Sequence, residues 1–284
     1  MINNVPDKEK LVKISTDLCN GCGICSTVCL FQIITMNPDT HLPEVTSPID
    51  KACNRCGQCE AFCPNSAIII SDSPDEKIRR TDYALLPKEK EIRELVQNRR
   101  SIRHYMNKQV PKETIESILD IVRYAPTAMN LQEVRWHVIS EQETKDEIIS
   151  HTVNWMRKLI SEERTGDFKA GELFSKFVER YDRGENIVTH NAPHLLVTHS
   201  PQEITTAFQD AVIATSYLDL IAPVFHLGTC WAGLIKRAAD NSPDVLKSLG
   251  LPQDNIPHTI MMLGYPRLKP VNIPKRKPVS ITWK

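Results

Sequence analysis

Eight of the nine cysteines fall into two evenly spaced runs. Cys19, Cys22, Cys25 and Cys29 make C-x2-C-x2-C-x3-C; Cys53, Cys56, Cys59 and Cys63 repeat it, and Pro64 follows the last. Soft thiolates at this spacing suit iron–sulfur clusters, because sulfurs at i, i+3 and i+6 wrap one cubane. Structural zinc also uses C-x2-C pairs, but it leaves a longer gap between them. A disulfide framework is the other reading of an even count. Against it stand a polar start, MINNVPDKEK, expected to carry no secretory leader, and a long remainder with one further cysteine. The spacing predicts two [4Fe-4S] clusters.

Short strands must hold such runs. Residues 11–15 read as a strand before the first run, and 30–36 and 67–70 as matching strands after each run, a pseudo-repeat. Thr35 to Asp50 carries Pro38, Pro43 and Pro48 and reads as an irregular connection. The expected division is a two-cluster domain over 1–75, a polar linker over 76–87 and a second domain over 88–284. Metal binding supplies much of the folding energy of so small a cluster domain.

In the second domain, Lys88 to Asn98 reads as a helix with Ile92, Leu95 and Val96 on one face. Pro111 opens another, with Ile115, Ile118, Leu119 and Val122 inward. A strand over 134–139 and a helix over 142–160 follow. The polar stretch 161–190 reads as an excursion from the core, of the kind that forms lids or partner contacts. Leu195 to Thr198 reads as a strand, 203–221 as a core helix, 227–233 as a glycine-bracketed turn, Ser242 to Gly250 as a helix and 258–265 as a buried strand. Prolines at 266, 270, 274 and 278 keep the tail extended, and an extended tail is expected to lie along another surface. The pattern is α+β rather than a regular βαβ series.

A formal net charge of +0 weighs against nucleic acid as a partner. No apolar run approaches the roughly 20 residues of a membrane span, so a soluble, cytoplasmic protein without membrane attachment is expected. The scattered histidines of the second domain form no ligand grouping. No G-x-G-x-x-G or G-x4-G-K-[ST] motif occurs, and no serine sits in a nucleophile elbow. Hydrolysis and phosphoryl transfer have little support; the clusters point to redox chemistry.

Three stretches read as an anion-and-ring site. Arg99, Arg100, Ser101 and Arg103 put three guanidiniums and a hydroxyl at a helix end, where they can grip a phosphate, although helix-end arginines also serve as plain surface charge. Ala125 to Gln132 is a turn whose amides can address a flavin ring edge or can simply cap the turn. Gly228 to Gly233 permits close backbone approach to a ligand.

These stretches, RRSIR (99–103), APTAMNLQ (125–132), HLGTCWAG (226–233) and LGYP with the basic proline-rich tail (263–278), make residues 88–284 resemble the FMN-dependent nitroreductase family. The whole chain resembles its members fused to a bacterial ferredoxin-like two-cluster domain. The ferredoxin resemblance implies that the fourth cysteine of each run serves the other cluster. Cluster one would take Cys19, Cys22, Cys25 and Cys63, and cluster two Cys53, Cys56, Cys59 and Cys29. The family resemblance implies that Arg99, Ser101 and Arg103 hold the FMN phosphate and ribityl end, joined by Arg276 and Lys275. Pro126, Thr127 and Asn130 would line the flavin ring from the other subunit of a homodimer, with Gln132 behind them. Cys230, Trp231 and Gly233 would complete the bed. The chain departs from the pattern at Cys29-Leu30, where proline usually follows, and at Gln132-Glu133-Val134, where Gln-Pro-Trp is common.

The implied function is an oxidoreductase. Electrons would pass from a low-potential donor such as reduced ferredoxin through the clusters to FMN, and on to a small electron-poor acceptor, a nitroaromatic, quinone or activated alkene. No side chain is required as a general acid or base. The alternatives are an NAD(P)H-dependent reductase with auxiliary clusters, and a non-catalytic electron-transfer protein.

Overall fold

The structure, a computed structural model, describes residues 11–46, 53–70, 79–164 and 168–284. The chain divides into two units: Met1–Leu86 with Met129–Leu131, and Pro87–Ala128 with Gln132–Lys284. The expected linker lies partly outside the described residues. Within them, Tyr83–Leu85 is a single 3-10 turn begun by Asp82, whose carboxylate accepts from Ala84 N at 3.0 Å.

Among its described residues the first unit holds two small antiparallel strand pairs and two one-turn helices. β1 (Val12–Ile14) pairs antiparallel with β4 (Ile68–Ile70), and β2 (Ile34–Met36) with β3 (Pro43–Val45). α1 (Ile24–Thr27) and α2 (Gln58–Ala61) each begin just after a glycine in the left-handed region, Gly23 and Gly57, so the pseudo-repeat extends to backbone conformation. The stretch expected to be irregular after Thr35 contains β3. Proline is tolerated at the first position of this edge strand, and Asn37 closes the turn by accepting from Asp39 N and Thr40 N at 2.8 and 3.0 Å. The expected strand over 30–36 is shorter, because Gln32 turns the chain back onto Cys29 O with a φ of 51°. Val12, Ile33, Ile34 and Ile68 form the core with Cys59.

The second unit is a four-stranded antiparallel sheet in the order β5-β6-β8-β7, covered by helices on both faces. Its strands are β5 (Arg135–Ile139), β6 (His194–Pro201), β7 (Gly228–Trp231) and β8 (Asn255–Gly264). One face packs on α5 (Gln142–Ser161), α6 (Phe168–Asp182), α8 (Gly233–Ala239) and α9 (Pro243–Ser248). The other packs on α4 (Lys112–Val122) and α7 (Ala207–Ile221). Leu195 and Val197 enter the first core and Leu196 the second, the alternation a strand imposes. Because both faces are dry, β6 and β8 read as continuous apolar runs rather than alternating ones. α3 (Glu89–Asn98) buries no residue: Ile92 and Val96 of its apolar face are exposed.

Two expectations are corrected here. Residues 165–167 lie outside the described residues, but the rest of 161–190 is no excursion: α6 packs along α5, with Phe174 buried in the main core against Trp155. Residues 228–231 form an edge strand rather than a turn, because β8 supplies a full antiparallel partner, Cys230 opposite Met262. The tail after Gly264 has no helix or strand and leaves Val271, Val279 and Trp283 largely exposed.

Candidate functional site

The repeated glycine turns fold each cysteine run around a space instead of a point. Cys19, Cys22, Cys25 and Cys63 line one cavity. Cys29, Cys53, Cys56 and Cys59 line a second. Among the described residues no three metal-ligating side chains come close enough to hold a single ion. Main-chain N–H groups already point at sulfur, Ala67 N to Cys63 Sγ at 3.1 Å and Arg55 N to Cys53 Sγ at 3.4 Å. Burial pushes the Cys59 thiol up to about 12, helped by the nearby Cys53, Cys56 and Cys29 sulfurs, and burial also raises Cys25. Thiols in this setting need a bound cation to hold them deprotonated.

In the second unit the RRSIR segment is fastened to the free side of β7. Ser101 bridges to Thr229, and Ile102 N donates to Thr229 O at 2.8 Å. Gly228 is what allows the approach, since a Cβ there would stand 2.6 Å from Ile102 Cγ1. Gly264 does the same for Tyr105 and Pro193, whose atoms a Cβ would meet at 2.9 and 2.5 Å.

The three guanidiniums then part company. Arg99 is half-buried and pairs with Asp219 at 3.3 Å, while the other Asp219 oxygen accepts from Thr229 Oγ1. Arg100 Nη1 turns onto Arg99 O at 2.6 Å. Arg103 is exposed and has no acidic partner among the described residues. Its charge reaches inward nonetheless. His190 is held below its ordinary value by burial and by the positive charges of Arg103, Arg180 and His104. Burial raises the Cys230 thiol, against the downward pull of Arg103 and the Ser101 hydroxyl. Tyr105 is pushed up by burial, and its hydroxyl, shut from water, has no hydrogen-bond partner. An exposed guanidinium and, two residues on, a buried hydroxyl that finds no partner fit a polyanionic, hydroxyl-rich ligand. The residues present therefore suit a flavin mononucleotide.

The 125–132 turn is closed by its own groups and by one from the core helix. Thr127 Oγ1 accepts from Gln132 N at 3.1 Å, and Ala128 N donates to Asp210 Oδ1 at 3.0 Å. Met129, Asn130 and Gln132 hold φ near +50°, a left-handed conformation that costs non-glycine residues energy. The Asn130 amide donates to the main-chain oxygens of Asn54 at 3.2 Å and Arg55 at 3.0 Å. Pro126 and Gln132 are exposed, as are Trp231 at the end of β7 and Gly233 at the start of α8. Cys230 is buried at the strand's inner face. Lys275 and Arg276 stand in the exposed tail, with no hydrogen bond or ion pair to residues 99–103.

Two functional carboxylates were missed in the sequence. Asp210 and Asp219 lie on α7, both buried, and one holds the 125–132 turn while the other holds Arg99 and Thr229. The signal was available: charged residues in an otherwise apolar core helix are retained only where something pairs with them.

Two thiolate cages and a helix-covered antiparallel sheet whose edge carries a cationic segment define a two-part chain of redox type. The chain belongs to the nitroreductase family, whose model matches residues 96–265, and a 4Fe-4S dicluster domain model matches residues 18–68. A nitroreductase from Bacteroides fragilis, solved with bound FMN, matches with a TM-score of 0.53 and 21% identity, over 69% of this chain and 100% of that one. A second, from Desulfitobacterium hafniense and also FMN-bound, gives 0.54 and 19%, over 70% and 100%. A protein of Methanothermobacter thermautotrophicus, provisionally named an NADH dehydrogenase/NAD(P)H nitroreductase, is 25% identical over 182 residues, 63% of this chain and 80% of its own length. The mixed α+β nitroreductase-like fold and the N-terminal dicluster domain both stand. Among the described residues no helix is long and apolar enough to cross a membrane.

Proposed function

We propose that this protein is a cytoplasmic flavin- and iron–sulfur-dependent reductase that carries electrons from a low-potential donor through two [4Fe-4S] clusters to FMN and on to an electron-poor organic acceptor. The observation that carries this reading is the presence of two four-thiol cavities and a nitroreductase-family domain in one chain. Bound FMN supplies the conversion between one-electron carriers and two-electron, hydride-type chemistry.

The chain's own residues have the remaining tasks. Cys19, Cys22, Cys25 and Cys63 hold cluster one, and Cys29, Cys53, Cys56 and Cys59 hold cluster two. Arg103 is the principal phosphate-end cation, with Ser101 beside it and the Tyr105 hydroxyl available as a donor within. Arg99 contributes less, because Asp219 already neutralises it. Lys275 and Arg276 reach a flavin only when the tail lies along a partner subunit. The exposed apolar residues of α3 and of the tail, Ile92, Val96, Val279 and Trp283 among them, support a homodimer in which Pro126, Thr127, Cys230, Trp231 and Gly233 build the flavin bed. No side chain of the site is assigned proton transfer to the acceptor; solvent can supply it.

Reduced ferredoxin is the favoured donor, since one-electron clusters are matched to a one-electron carrier. The NAD(P)H in the relative's name makes a nicotinamide the alternative. Anaerobic purification with iron, acid-labile sulfide and flavin analysis, followed by reduction with ferredoxin or NAD(P)H, tests the scheme. Two clusters' worth of iron and sulfide with one FMN per chain, bleached through the clusters by ferredoxin, is the expected result. Zinc in the thiolate sites, or clusters that never pass charge to FMN, would overturn it.

A further inference from the structure

A cleft of about 580 Å³ opens in the sheet unit where residues 105–109, the first turn of α5 and the loop entering β6 meet. That is the size of a small-molecule site. Of the residues given to the flavin, only Tyr105 reaches its wall. The lining is polar and holds no carboxylate: Asn107, Gln109 and Asn191 bring amides, and Lys145 and Arg267 bring positive charge. Lys145 is buried, at 3% exposure, and forms no ion pair among the described residues. Two of its three N–H groups go to the main-chain oxygens of Ala192 and Pro193, at 3.4 and 2.8 Å. Burial holds its ammonium below the ordinary lysine value, against the pull of Asp146, whose carboxylate accepts from the Gln142 amide at 2.7 Å. A buried cation without a counter-charge is unfavourable, and a bound anion relieves it.

The rest of the wall is already in place. Arg267 is exposed, and its main-chain N donates to His104 O at 2.8 Å, which fixes it beside the 105–109 segment. The Asn186 amide donates to Thr189 Oγ1 at 2.8 Å and Asn191 Oδ1 at 3.0 Å, and Asn186 Oδ1 accepts from Thr189 N at 3.0 Å. A loop closed on itself in this way loses little freedom when a ligand arrives. The unit's other lysine-lined cleft differs: Lys236 lines it together with Asp240, and the two neutralise each other.

We infer that the cleft lined by Lys145 and Arg267 is a binding site for a small phosphomonoester that carries hydroxyl groups, separate from the flavin bed. Two cations match the charge of a phosphomonoester at neutral pH, about −1.5 to −2, where a single carboxylate would leave one of them unmatched. Arg267 and Lys145 hold the phosphate, the guanidinium by paired N–H bonds, and the amides of Asn107, Gln109 and Asn191 take the hydroxyls. Binding is non-covalent. The site goes beyond the reductase reading and does not rest on it, since every residue it uses belongs to the sheet unit.

The test titrates the full-length protein, with its cofactors, by calorimetry against glycerol 3-phosphate, inorganic phosphate and glycerol. One glycerol 3-phosphate per chain should bind, more tightly than inorganic phosphate, and glycerol should not bind. Its addition should slow amide exchange at residues 105–109 and 186–192. Arg267→Glu and Gln109→Glu, both at exposed positions, bring a carboxylate to the cleft and should each weaken binding by about tenfold or more. Lys145→Met should do the same; if it fails to fold, the two surface variants and the exchange footprint decide alone. Arg103→Ala, which alters the flavin end instead, should leave the affinity for glycerol 3-phosphate unchanged. No binding by the parent, no preference over inorganic phosphate, an affinity untouched by Arg267→Glu or by Gln109→Glu, or loss of binding in Arg103→Ala would each overturn the inference.

Discussion

The two units solve the same problem with opposite means. The cluster unit has a core of only a few apolar residues, Val12, Ile33, Ile34 and Ile68, and surrounds it with thiols. The sheet unit has a core on each face of β6 and β8 and pairs several of the polar groups it buries, the Tyr105 hydroxyl being an exception. Thr198, Thr215 and Thr259 bond one another at 2.6 and 2.7 Å inside it. His194 takes a proton-bearing partner on one side and gives to Ser140 on the other, while Lys145 caps Pro193 O at 2.8 Å. A small domain cannot bury enough surface to hold itself together and turns to metal; a larger one can.

Iron removal should separate the units most sharply. Chelation under anaerobic conditions is expected to abolish the fold of residues 11–46 and 53–70 and open them to protease, while the sheet unit keeps its thermal transition. A cooperative loss of both would break the comparison. Leu195→Ala, which empties part of a fully buried position, should cost about 2–5 kcal/mol by urea unfolding of the sheet unit and leave the cluster absorbance unaltered.

A smaller effect follows from His194. Its Nε2 accepts from Val110 N at 2.9 Å, so the ring must be neutral with its proton on Nδ1, and burial lowers it to about 4. A histidine depressed in the folded state stabilises fully above the unfolded value, near 6.5, and loses that contribution as pH falls from there toward 4. Stability of the sheet unit should therefore drop by about 2 kcal/mol between pH 7.5 and 5, and His194→Gln should flatten that slope. Smallest of the four, Asp210→Ala deletes the carboxylate that accepts from Ala128 N and should cost roughly 1 kcal/mol, read by unfolding and by faster amide exchange at Ala128.

Legibility in the sequence followed the same division. The cysteine spacing named the chemistry outright, because ligand geometry is written in short-range positions, and the long helices and β8 were visible from their periodicity. What escaped depended on partners far away in the chain. β7 is four residues bracketed by glycine, and only β8 and Ser101 make it a strand. β3 was hidden by Pro43, which its edge position excuses. α6 was hidden by its polar face, although Phe174, Phe177, Val178 and Tyr181 recur at helical spacing and all pack on the core. Of the candidate site, the RRSIR and 125–132 stretches were legible as stretches. The split between a neutralised Arg99 and an unpaired Arg103 was not, since it is decided by Asp219 on a helix more than a hundred residues later.

The strand order has a last consequence. β8 is the final strand of the chain, yet it lies between β6 and β7. During translation the sheet cannot close until residue 264 has cleared the ribosome, so β6 and β7 must wait with their bonding edges unfilled. The two cysteine runs leave the ribosome before the strands of the sheet unit do, so their thiols can begin to collect iron while the later strands are still being made.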